Sequence, residues 1–111
     1  MGTERVHLLG KDIYVILNCL GLDAYLGWNT KETDSYLEER FAEIESGEYT
    51  RVCGLLEKQI YGDIPLERYE VRTLTCFREK LLQGAKNAGA VIRLKLHFRH
   101  LEELVRETTD S

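Results

Sequence analysis

The apolar spacing between Pro65 and Arg106 constrains this chain more than any other feature. Val71, Leu74, Phe77, Leu81, Ala85 and Ala88 recur at three- and four-residue steps, which places them on one face of a helix. Asp63-Ile64-Pro65 offers an N-cap and a first-turn proline ahead of it. After the small-residue patch Gly84–Ala90, Val91, Leu94, Phe98, Leu101 and Val105 form a second stripe with heptad spacing, which wants a partner. Two such helices joined by a small-residue turn make an antiparallel pair that the rest of the chain must cover.

The remaining segments read in the same period. Ile13, Ile16, Leu17 and Leu20 suit a buried face of a helix over 12–20, with Gly21 just past its end. The same residues could form a short strand, paired as a hairpin with Val6–Leu9 across Gly10-Lys11. Ser35 and Glu38 match a capping box for a helix over 35–46, whose inward stripe is Leu37, Phe41 and Ile44 and whose stop is Gly47. Tyr49, Val52, Leu56 and Ile60 predict a further helix over 48–61, ended by Gly62. Residues 92–99 also alternate apolar and polar, as a half-buried strand would, but Leu101–Arg106 continues the helical face without a turn signal.

The expected fold is therefore mainly α, a single-domain bundle of four or five helices over 1–111, with 1–4 and 107–111 frayed. The alternative is an α+β fold with the N-terminal hairpin and a strand near 91–99. One proline and nine glycines among 111 residues favour long regular elements, and 43% hydrophobic content supplies one core. No apolar run is long enough to span a bilayer, and no secretory leader is legible at the amino terminus. Met1-Gly2 lacks the Ser or Thr at position 6 that a myristoylation start carries, since that position is Val6. Cys19, Cys53 and Cys76 are odd in number, widely spaced and set among apolar neighbours, the usage of small buried hydrophobes in a reducing, cytoplasmic protein.

Charge is distributed unevenly although the net is only −4. Between 22 and 48, Asp23, Glu32, Asp34, Glu38, Glu39, Glu43, Glu45 and Glu48 face only Lys31 and Arg40. Between 72 and 100, Arg72, Arg78, Lys80, Lys86, Arg93, Lys95 and Arg99 face only Glu79. Such a split is either two solvated helix faces or a bipolar molecule with a surface for a basic partner and another for an acidic one.

Candidate chemistry is thin. His97, His100 and Glu103 share one helical side at ligand-like spacing, but no distant Cys or His completes a tetrahedral set, so no metal or other cofactor is expected. Arg93 and His97 could stabilise a phosphorane and shuttle a proton, yet Leu94 stands where an Arg…His nuclease motif carries a polar residue. There is no phosphate loop, no nucleophile elbow, and no carboxylate pair that converges on a bond.

A binding role fits better than catalysis. Tyr25, Trp28 and Tyr36 lie beside Glu38, Glu39 and Glu43, an aromatic and acidic combination suited to a basic protein surface. The expected function is a small acidic interaction module, an adaptor, inhibitor or immunity-type protein and a regulator by occupancy. The alternatives are a nucleic-acid-associated regulator using a basic patch that includes Arg93, Lys95 and Arg99, and a small metal-dependent or Arg/His nuclease. Ile92, Leu96 and Leu104 make the last stripe apolar on a second side, which predicts a homodimer seam.

Overall fold

The computed structural model describes residues 2–22 and 29–89, together with Ile92 and Leu94. The protein is mainly helical. Four helices follow one another: α1 (Gly2–Cys19), α2 (Thr30–Arg40), α3 (Glu48–Ile60) and α4 (Arg68–Lys86). No strand occurs among the described residues. α1 packs against α4 and α3, α3 also packs on α4, and α2 joins the bundle through α3.

α1 overturns the hairpin alternative. Val6 and Leu9 continue the step of Ile13, Ile16 and Leu17, and all five are fully buried. One helix therefore buries these five on a single face, where a hairpin would split them between two strands. Fully burying each such side chain contributes about 1.5–3 kcal/mol. Gly10 lies inside the helix, and a Cβ there would approach Leu56 Cδ2 to 3.2 Å, so its absence lets α1 and α3 come close. Helix formation begins at Gly2, within the stretch expected to fray. The helix ends as Gly21 suggests: that residue has φ 86°, and the Leu22 and Gly21 amides donate back to the carbonyls of Leu17 and Asn18.

α2 begins and ends about five residues earlier than its sequence signals indicate. Ser35 is mid-helix and caps nothing; Asn29, with φ 50°, precedes the first turn. Phe41 has left the helix in an extended conformation. The buried Asp34 explains the early reversal. Its carboxylate accepts the amides of Gly47 and Thr50, each at 3.1 Å, and the Thr50 hydroxyl. A side chain of α2 thereby satisfies free amides at the start of α3, which requires the chain to double back over 41–47. Glu48 fixes the same turn by accepting the Glu45 amide and pairing with Lys80 at 3.1 Å.

α3 matches its predicted span, with Tyr49, Val52, Cys53 and Leu56 in the core. Ile60, expected on the inward stripe, is exposed, and Gln59 is buried in that turn instead. α4 starts at Arg68 rather than near Pro65. Its cap is a reciprocal box: Glu67 receives an amide of the first turn, and Glu70 accepts the Glu67 amide at 2.9 Å. Leu74, Phe77, Leu81 and Ala85 are buried as their spacing requires, whereas Ala88 is exposed. The Tyr49 and Phe77 rings meet at 6.0 Å between centroids.

One polar contact crosses the core. Arg78 Nη1 lies 3.1 Å from Asp12 Oδ2, with both side chains almost wholly buried. Burial pushes the Asp12 carboxyl above the usual carboxylate range, against the pull of the Arg78 guanidinium. The cysteines divide: Cys19 and Cys53 are buried, but Cys76, expected inside, is exposed.

Candidate functional site

A concavity lies where three helices end. Leu20 follows α1, Tyr36, Arg40, Phe41 and Glu43 belong to the end of α2 and the turn beyond it, and Gln83, Gly84 and Asn87 to the last turns of α4. The cleft has a volume of about 560 Å³. Its floor depends on a glycine. A Cβ at Gly84 would lie 2.9–3.1 Å from three atoms of the Phe41 ring, so only a bare helix surface lets that ring settle.

The charges around this cleft are largely committed to one another. The Arg40 guanidinium stands 4.0 Å above the centre of the Tyr36 ring and 3.7 Å from Glu39. Lys80 is held by Glu48. Glu38 and Glu43 are exposed and make no ion pair among the described residues. Glu43, in the turn beyond α2, is the carboxylate that lines the cleft, and that turn is fixed by Asp34 and by the Phe41–Gly84 contact.

Of the six partner-binding candidates, Tyr36 and Glu43 line this cleft, Glu39 stands beside Arg40, and Glu38 is exposed in the last turns of α2 outside the cleft lining. Tyr36 is half-buried and stacked under Arg40, so it contributes less free aromatic surface than its sequence context promises. Tyr25 and Trp28 lie outside the described residues, as do Arg93, Lys95, Arg99, Leu96 and Leu104. The candidate metal set His97, His100 and Glu103 lies outside them too. Among the described residues, no group of three His, Cys, Asp or Glu side chains is placed to hold a metal.

At the start of the C-terminal stripe the two sides are exchanged. Ile92, assigned to the outward dimer seam, packs half-buried against the core, while Leu94, assigned to the inward seam, is 55% exposed. The basic half also loses members. Arg78 is locked in the core with Asp12 and Lys80 is paired with Glu48, so neither presents a free charge to a phosphate backbone.

Burial raises the Cys53 thiol above its ordinary range, despite the neighbouring Tyr49 and Tyr14 hydroxyls. That keeps it from the thiolate form a nucleophile needs. No described helix is long and apolar enough to cross a membrane.

Sequence reasoning missed Asp34 and Glu48 as the fasteners of the α2–α3 turn, because it counted them only as charge. It also missed the connection 61–67, where Tyr61 and Ile64 stand exposed. The chain matches no family model, no curated protein and no solved structure in comparisons with known proteins.

Proposed function

We propose that this protein is a protein–protein interaction module that acts by occupancy rather than by catalysis, with the acidic end of α2 as its surface for a basic partner. The observation that carries this reading is a run of exposed carboxylates, Glu38 and Glu39 in the last turn of α2 and Glu43 in the fixed turn beyond it, where Glu43 lines the cleft. Carboxylates in such a setting speed encounter with a basic surface and set its orientation. A reducing, cytoplasmic setting accords with three unbridged cysteines. Self-association through the C-terminal segment belongs to the same reading and is tested by sedimentation at micromolar concentration, where a wild-type monomer refutes it.

The test of the main reading is capture from native lysate on immobilised wild type and on the triple variant Glu38→Lys, Glu39→Lys, Glu43→Lys. A partner retained by wild type, lost from the variant and insensitive to nuclease treatment is the expected result. Capture that nuclease abolishes would transfer the reading to nucleic acid. Identical capture by both proteins would remove the acidic face from the account.

A further inference from the structure

Arg40 and Glu43 bring opposite charges to one cleft and do not meet. Both line the concavity at the ends of α1, α2 and α4, yet no ion pair joins them. Glu43 is exposed and pairs with no cation among the described residues. The Arg40 guanidinium rests over the Tyr36 ring, and its carboxylate neighbour Glu39 stands at 3.7 Å, outside hydrogen-bonding range. The ring attracts the charge but offers no oxygen to the N–H donors, which stay available to a ligand. Lys80, the third charge in the lining, is spent: both Glu48 oxygens accept from its ammonium, at 3.2 and 3.1 Å.

The cleft also has an apolar wall. Leu20 and Phe41 line it while packing on the core, and the Phe41 ring is held in place against Gly84. Its volume of about 560 Å³ is that of a small-molecule site, which runs to roughly 300–1,000 Å³ and pairs apolar walls with a few polar groups that fix orientation.

The two open charges select the occupant. A lone cation would satisfy Glu43 and stand against Arg40, and a lone anion would do the reverse. A molecule that carries both charges answers both residues. We propose that the cleft binds a small zwitterion with an apolar side chain, of which the free apolar amino acids are the simplest. Its carboxylate lies on Arg40, its ammonium on Glu43 and its side chain against Leu20 and Phe41. This goes beyond the interaction-module reading and needs no protein partner.

The probes are L-leucine, L-phenylalanine and the dipeptide L-leucyl-L-leucine, whose two charges are further apart. Each is titrated into the uniformly ¹⁵N-labelled full chain to about 10 mM, the affinity range open to so small a molecule. At least one should shift amide resonances around the cleft, with glycine, its N-acetyl form and its methyl ester each binding at least about tenfold more weakly. Arg40→Gln and Glu43→Gln change exposed side chains, so both should keep the wild-type helical spectrum. Glu43→Gln should erase the penalty for the N-acetyl form and keep that for the ester; Arg40→Gln should do the opposite. A cleft that had merely changed shape would weaken all forms alike, and that result would overturn the proposal. So would the absence of cleft shifts with every probe, or an N-acetyl form, an ester or glycine that binds wild type as tightly as the zwitterion. Partner capture plays no part in these titrations, so capture without shifts sinks only this proposal and shifts without capture sink only the other.

Discussion

Breaking the Asp12–Arg78 pair from one side should come close to unfolding the protein. The two side chains retain 5% and 2% of their exposure and meet at 3.1 Å, so removing one leaves the other as an uncompensated charge in the core. Losses of that kind run to about 3–5 kcal/mol, against a total stability of roughly 5–15 kcal/mol for a domain of this size. Asp12→Leu is the cleaner single change, because Arg78 makes a further interaction that Arg78→Met also removes. Replacing both together takes away the charges along with their attraction, and buried pairs so replaced lose little or gain about 1–4 kcal/mol. The double variant should therefore be much more stable than the two single losses added together. Urea denaturation followed by far-UV circular dichroism gives each free energy by linear extrapolation. A cost below about 1 kcal/mol for Asp12→Leu, or simple additivity in the double variant, would refute the view that each of these buried charges depends on the other.

Two glycines in helices should respond oppositely to alanine. At Gly54 a Cβ meets nothing within 4 Å, so Gly54→Ala should stabilise by roughly 0.5–1 kcal/mol; at Gly84 it meets the Phe41 ring, and Gly84→Ala should lower the melting temperature. Asp34→Ala should cost about 2 kcal/mol in chemical denaturation, the upper range for a cap, because it strips a buried acceptor from the Gly47 and Thr50 amides; a loss under a few tenths would show that the α2–α3 turn is held otherwise. The Glu67 amide, and after it Lys58, holds the Glu70 carboxyl below its usual 4.5, so the folded chain binds this proton less readily than the unfolded one. Stability from this group is present above about pH 4.5 and is lost as pH falls from there, and Glu70→Gln should flatten that limb of a melting-temperature profile without altering its neutral-pH shape.

How far the sequence carried depended on whether a segment's neighbours were needed to define it. α4 and α3 were legible because Leu74, Phe77, Leu81 and Tyr49, Val52, Leu56 repeat over several turns, and Gly62 stops the chain after α3. The length of α1 was hidden by Gly10-Lys11, a pair that reads as a turn until Leu56 is known to press against it. α2 was displaced because Ser35 and Glu38 satisfy a local capping rule, while the contact that fixes the reversal joins Asp34 to Gly47 and Thr50, thirteen and sixteen residues away. For the site, composition found the acids of α2, but charge counting cannot show that Arg78 and Lys80 are tied up by Asp12 and Glu48. Nor could it show Tyr61 and Ile64 left outside the core, since an apolar residue in sequence carries no mark of exposure.

The central claim is that the acids at the end of α2 steer a basic protein partner onto this chain. Its most direct measurement is the association rate of the captured partner, by stopped flow, across ionic strengths from about 0.02 to 0.5 M. The account predicts a rate for wild type that falls steeply with salt, and a slower, nearly salt-independent rate for Glu38→Lys, Glu39→Lys, Glu43→Lys, the two converging at high salt. Equal rates for both proteins at low salt, or a wild-type rate indifferent to salt, would contradict it.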